Sequence, residues 1–179
     1  MLEVRRHSYT KKGDARGSGS HLSADGVHLA RRIGETIGPF DRVVASDVPR
    51  TLETAVAMGF AVDEILTFSD GLDWDAVIAE MGWHALWDEE LPFVHLKDVF
   101  PTRPKTAKMA AHYAERWLCI ATANESALVV THGLIIEAGL VAALPHADHA
   151  SWGPPFSHCE GARLRVKDGV FSEIELLRV

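Results

Sequence analysis

Apolar residues in this chain alternate between short runs and stretches where they recur every three or four positions, the pattern of strands followed by helices. A β-prone run covers residues 2–5, and a Gly-, Ser- and Lys-rich loop follows over residues 8–21. Ser23 is placed to cap a helix on which Val27, Ala30, Ile33 and Ile37 recur at helical spacing, with Gly38-Pro39 as its stop. Residues 42–45 read as a second strand. Ser46 or Asp47 can then cap a helix that carries Pro49 in its first turn and runs to Met58, and residues 62–66 read as another strand. Residues 67–104, rich in Asp, Pro and Trp, predict a helix near 76–87. A long helix is expected over 105–121, with Met109, Tyr113, Ala114, Trp117 and Leu118 on one face, then a buried strand over 127–130 and a helix after His132. Lys167-Asp168-Gly169 between residues 162–166 and 170–175 predicts a closing hairpin, because Asp-Gly favours the tight turn that strand twist requires.

Strands alternating with helices predict a single three-layer α/β/α domain over residues 1–179, built on a mostly parallel central sheet, with 67–104 as a cap-like insertion. At 179 residues, 47% of them hydrophobic, the chain can bury an ordinary core. Residues 1–10 reach Arg5 and Arg6 without an apolar signal region, and the longest apolar stretch, 133–144, is interrupted by Glu137 and too short to span a bilayer. A cytoplasmic protein without membrane contact is expected. Cys119 and Cys159 make no disulfide framework, and Cys119 reads as a buried thiol within a helix.

The net charge of -7 is unevenly spread. Residues 1–50 hold nine Lys and Arg against six acids, a balance of +3, so the remaining 129 carry -10. That distribution fits a small anionic ligand drawn to a local site and argues against nucleic acid lying across a face.

Three segments at the ends of apolar runs carry candidate chemistry: Val4-Arg5-Arg6-His7-Ser8, the block from Ser46 to Ala55 that contains Arg50, and Val129-Val130-Thr131-His132-Gly133. In a parallel α/β sheet the loops after the strands share one edge, so these distant residues can meet in one crevice. A neutral histidine beside an arginine suits nucleophilic attack on phosphorus, the guanidinium gripping nonbridging oxygens. Arg50 near a helix start, and His132 between a strand and a helix, add donors where backbone N–H groups already favour anions. Taken singly, the three read as a structural histidine, a surface arginine and a capping histidine; their coincidence at three strand ends points to a phosphoryl site.

These segments resemble the histidine phosphatase superfamily, with its phosphoglycerate mutase-like fold. Arg6-His7-Ser8 is similar to the family's Arg-His-Gly opening, Leu22-Ser23-Ala24-Asp25-Gly26 to its Leu-Thr-x-x-Gly segment, Ser46 to Ala55 to its Ser-x-x-x-Arg-x-x-x-Thr-Ala block, and Val129 to Gly133 to its late strand with His-Gly. The resemblance implies that His7 becomes phosphohistidine, that Arg6, Arg50 and His132 hold the phosphoryl oxygens, and that water releases phosphate. It implies no metal, and no cofactor is expected. The family takes the leaving group's proton donor from a carboxylic acid. Glu80, in Glu80-Met81-Gly82-Trp83, resembles the family's Glu-x-x-Gly pattern and is the first candidate, with Asp70 and Asp73 behind it.

The expected activity is hydrolysis of a phosphomonoester, either a small metabolite or a phosphorylated protein side chain. Mutase-type phosphoryl transfer and noncatalytic binding of a phospho-ligand are the alternatives. Substrate identity and oligomeric state are left open. His146, His149, His158 and Cys159 cluster in sequence but match no standard zinc spacing. Trp74, Trp83, Trp87 and Trp152 could cover an organic substrate, whereas Trp117 belongs to a core face. His158 reads as an exposed loop residue that could approach the site from above.

Overall fold

The structure, a computed structural model, describes residues 1–11, 19–67, 71–81 and 92–179. Among the described residues six strands form one sheet: β1 (Leu2–Arg6), β2 (Arg42–Ser46), β3 (Glu64–Leu66), β4 (Ala127–Thr131), β5 (Gly161–Lys167) and β6 (Val170–Leu177), in the order β3-β2-β4-β1-β5-β6. β1 to β4 pair in parallel, while β5 runs antiparallel to β1 and β6 antiparallel to β5. The C-terminal ends of β1, β2 and β4 therefore open on one edge, the geometry anticipated for a crevice.

Strand alternation divides the core between the two faces. Val44, Ala127 and Val129 face one layer together with Leu2 and Val4, and pack against α5 (Pro104–Ala123) and α6 (Ile135–Ala143). Val43, Ala45, Leu128 and Val130 face the other and pack against α1 (Ala24–Gly34) and α2 (Pro49–Ala57). This is the expected three-layer arrangement. On β1 the second face carries charge: Glu3 is fully buried, 2.6 Å from Arg5 Nε and 2.8 Å from Arg163 Nη2. The burial of Glu3 is tolerated because both its oxygens have cationic donors.

Several boundaries differ from expectation. Ser23 does cap α1, accepting a hydrogen bond from the Gly26 N–H at 3.0 Å, but the helix ends at Gly34, before Ile37. α2 begins at Pro49 with Val48 as its cap, so neither Ser46 nor Asp47 caps it. The third strand covers Glu64–Leu66 at the sheet edge. Cys119 is exposed on α5, and the buried thiol is Cys159.

Within 67–104, α3 (Trp74–Met81) starts close to where a helix is predicted, and a further helix, α4 (Pro92–Val99), lies where the sequence pattern showed none. Eight residues are too few for a clear helical period, yet Phe93 and Leu96 on α4 are fully buried in the same core as Trp117. Phe93 packs edge-on against Trp152 and Phe156 at 5.2 and 5.5 Å. Loss of such a ring costs about 3–5 kcal/mol, so this part of the chain is anchored to the domain. Asp70, Trp83 and Trp87 lie outside the described residues.

The closing hairpin forms as read. Asp168 (φ 53°) and Gly169 (φ 80°) both take left-handed backbone, as a two-residue turn between Lys167 and Val170 requires. Among the described residues no helix is long and apolar enough to cross a membrane.

Candidate active site

The end of β1 is clamped from both sides. The His7 N–H donates to Thr131 O (2.9 Å) on β4, the Arg6 N–H to Glu160 O (2.8 Å), and Arg6 O accepts from the Cys159 N–H (3.1 Å). Alternation then separates the two arginines: Arg5 turns to Glu3 and to Cys159 O, while Arg6 Nη1 donates to Phe156 O at 2.6 Å. Burial lowers the pKa of Arg6 and nearby Glu137 and Glu160 oppose the shift, yet a guanidinium stays charged.

His7 follows, with Nδ1 2.8 Å from the carbonyl oxygen of Ser8. A carbonyl only accepts, so Nδ1 carries the proton and the lone pair is on Nε2. Burial pushes the His7 pKa down to about 3, and the charges of Arg50 and Arg6 act in the same direction. The ring is neutral at pH 7. Ser8 is fixed in turn: its N–H donates to Thr54 Oγ1 (2.9 Å) and its hydroxyl to Gly26 O (2.7 Å). Serine at this position thus ties β1 to α1 and α2, and through its carbonyl sets the tautomer of His7.

His132 follows β4 and lies with its ring centroid 5.3 Å from that of His7. Its Nδ1 is 3.1 Å from Arg50 Nη2, and its Nε2 2.8 Å from Ser46 Oγ. Arginine has no acceptor, so Nδ1 accepts and Nε2–H donates to Ser46, the tautomer opposite to that of His7. The Ser46 hydroxyl then donates to Thr51 Oγ1 (2.8 Å), which itself donates to Ser46 O or Val48 O. Burial holds the His132 pKa well below its usual value, reinforced by Arg50, His7 and Arg6. α6 starts two residues beyond Gly133, with Leu134 (φ 61°) as its cap, so His132 stands in the loop before the helix.

Arg6, His7, Arg50 and His132 thus lie within mutual electrostatic reach at one sheet edge. Two half-buried guanidinium groups beside two buried, neutral imidazoles can hold an oxyanion, with the Nε2 lone pair of His7 free to act on it.

Glu80 stands in a different relation. Its carboxylate accepts from the N–H groups of Lys105 (3.1 Å) and Thr106 (3.0 Å) and from the Thr106 hydroxyl (3.1 Å), covering the start of α5, and its carbonyl accepts from Arg103. Desolvation raises its pKa, but these hydrogen bonds outweigh it and hold the group below the usual carboxylate range. A proton donor to a leaving group needs the reverse shift. Asp73 is likewise engaged with α3, accepting from the Ala76 N–H at 3.1 Å.

His158, read from sequence as an exposed loop histidine, is instead packed beside His7 at 5.6 Å between ring centroids. The sequence signal for it was faint, a histidine shortly before the closing hairpin. Its neighbour Cys159 is fully buried, and His149 reaches Leu144 O through Nε2 (3.0 Å) and stacks edge-on with Trp152.

The sequence profile of the histidine phosphatase superfamily (branch 1) matches residues 4–177. No curated protein sequence matches the chain. Among solved structures it is similar to a phosphoserine phosphatase from Entamoeba histolytica in complex with 3-phosphoglyceric acid (14% identity, TM-score 0.68, 99% of this chain and 96% of that one). It is also similar to the alpha-ribazole phosphatase from Shigella flexneri (15% identity, TM-score 0.66, 99% and 96%) and a phosphoglycerate mutase from Bacillus anthracis str. Sterne (20% identity, TM-score 0.63, 98% and 91%). At such identities the likeness is one of fold. With the profile spanning nearly the whole sequence and these structures sharing its fold, this chain belongs to the histidine phosphatase superfamily, branch 1, and has its phosphoglycerate mutase-like fold.

Proposed function

We propose that this chain is a phosphatase that hydrolyses a phosphomonoester through a phosphohistidine on His7. The observation that carries the reading is the bond from His7 Nδ1 to Ser8 O: it leaves the Nε2 lone pair unprotonated beside Arg6 and Arg50. Nε2 attacks phosphorus, the P–O bond to the leaving group breaks, and the departing oxygen takes the electron pair and then a proton. Arg6 and Arg50 bind the nonbridging oxygens, where guanidinium charge stabilises the transition state, and His132 joins them when the phosphoryl group draws Arg50 from its Nδ1 and that nitrogen takes up a proton. Water then attacks the phosphohistidine, the P–N bond breaks with its pair returning to Nε2, and phosphate leaves. The two guanidiniums supply positive charge that a metal would otherwise bring, so turnover in chelator is expected.

The test is hydrolysis of p-nitrophenyl phosphate in chelator by the wild-type chain and by His7→Ala, with acid-quench detection of phosphohistidine. Turnover and an acid-labile phosphoenzyme that both vanish in the variant support the reading. A folded chain that binds inorganic phosphate but shows neither is a binding module. A phosphoenzyme that returns its phosphoryl group to an added alcohol in preference to water would identify a mutase.

A further inference from the structure

The leaving group in the reaction proposed above needs a proton, and two of the acids named from sequence do not offer one freely. Glu80 and Asp73 are bound to helix N-termini. Of the other acids near Arg6, Glu137 has its pKa raised by burial but is only 2% exposed, with Oε1 on the Phe156 N–H and no opening to an incoming leaving group, and Glu160 pairs with Arg178 at 2.9 Å.

His158 is arranged differently. Its backbone is held firmly, because the following Cys159 bonds Arg6 through its N–H and Arg5 through its carbonyl, while the preceding Ser157 N–H donates to Glu160 at 2.8 Å. Its ring lies between His7 (5.6 Å, 68° between planes) and Tyr9 (4.4 Å, 41°). His7 and His132 each have a ring nitrogen committed to a protein partner, whereas neither ring nitrogen of His158 makes a hydrogen bond among the described residues. The same residue lines a groove of about 380 Å³, together with Tyr9, Asp25, His28, Arg32 and Glu160. His158 therefore stands on the border between the reacting ring and the open space where the rest of a substrate can lie.

We propose that His158 is the proton carrier of the reaction, donating to the bridging oxygen as its bond to phosphorus breaks and later taking a proton from the attacking water. The inference rests on the phosphohistidine reading. In the first step imidazolium N–H passes its proton to the leaving oxygen, giving a neutral alcohol, phospho-His7 and neutral His158. In the second the neutral ring accepts the proton of water as the new P–O bond forms and the P–N bond breaks, which restores imidazolium. Without ligand, burial and the charge of Arg6 push the His158 pKa down to about 4. A bound phosphoryl dianion offsets Arg6 and Arg50, so protonation of His158 accompanies substrate binding. The charged and titratable groups around it are Arg6, His7 and Tyr9 from the end of β1, Asp25, His28 and Arg32 from α1, and Glu160 from its own loop.

The experiment compares wild type, His158→Gln and His158→Asn on p-nitrophenyl, phenyl and benzyl phosphate, with acid-quench detection of phosphohistidine in each. The expected result is that p-nitrophenyl phosphate still forms phosphohistidine in the variants within several-fold of the wild-type rate, because its leaving group needs no proton. Benzyl phosphate should lose about a hundredfold or more, and the alkaline limb of its pH profile should disappear. Equal losses across the three substrates in the rate of phosphohistidine formation, or no loss in that rate, would overturn the role of His158 alone. Absence of phosphohistidine in the wild type would overturn the underlying reading and this inference with it.

Discussion

Ser46 Oγ lies 2.8 Å from Nε2 of His132, and it receives that nitrogen's proton because the other ring nitrogen faces Arg50. Ser46 thus fixes the tautomer and orientation of His132 and, through Nδ1, the position of the Arg50 guanidinium. In Ser46→Ala a buried N–H loses its acceptor, a loss of roughly 1–3 kcal/mol. Inhibition by inorganic phosphate should weaken about tenfold while the fold is retained, as isothermal titration against the wild type would show. Unchanged phosphate affinity would mean that the tautomer of His132 has no part in binding.

The buried imidazoles make stability depend on pH. His7 and His158 have folded pKa values of about 3 and 4, below the unfolded value of about 6.5. The unfolded chain therefore binds more protons between those limits. The stability they allow is complete above about pH 6.5 and is lost as the pH falls, each group contributing at most about 1.4 kcal/mol per pH unit. Glu137, whose pKa burial raises, acts in the opposite sense, since acid neutralises a charge held out of water. His132, held low by the same burial, adds to these two, and three imidazoles outweigh one carboxyl, so Tm should fall steadily from pH 7 to pH 4.5, and less steeply in His158→Gln. A flat profile in calorimetry would refute this.

Gly26 is where α1 meets the segment after His7. A Cβ there would lie 2.1 Å from Tyr9 O, and the Gly26 carbonyl accepts the Ser8 hydroxyl. Backbone cannot yield as a side-chain tip can. Gly26→Ala should destabilise the domain by about 1–3 kcal/mol and, by shifting Ser8, lower kcat more than it raises KM. Denaturant unfolding and steady-state kinetics on p-nitrophenyl phosphate test the two parts separately.

Glu80 covers the N-terminus of α5 through Lys105 and Thr106. Glu80→Gln should lower Tm modestly and leave the ratio of rates on p-nitrophenyl and benzyl phosphate unchanged. A selective collapse on benzyl phosphate would return Glu80 to the role of proton donor that its sequence motif suggested.

The alternation of apolar runs and helical periods was sufficient to order the strands and helices, because a strand buried on both faces, such as residues 127–130, must be almost wholly apolar. The ends of β1, β2 and β4 held Arg6, His7, Arg50 and His132 in view for the same reason: polar chemistry placed directly after a buried strand stands out. Short elements were less visible, and α4, with eight residues, is fixed by what Phe93 and Leu96 pack against rather than by its own period. Three features needed the tertiary structure. Alternation along β1 must separate Arg5 from Arg6, but only the charged layer around Glu3 decides which one faces Phe156 and the site. The proton positions on His7 and His132 follow from Ser8 O and Arg50, contacts that depend on rotamer and distance. His158 reaches His7, and Glu80 reaches α5, across separations of 151 and 26 residues. A linear sequence carries strong information about neighbours three or four positions away and very little about where a loop side chain comes to rest, which is why the grouping of Arg6, His7, Arg50 and His132 could be read from it and the resting places of His158 and Glu80 could not.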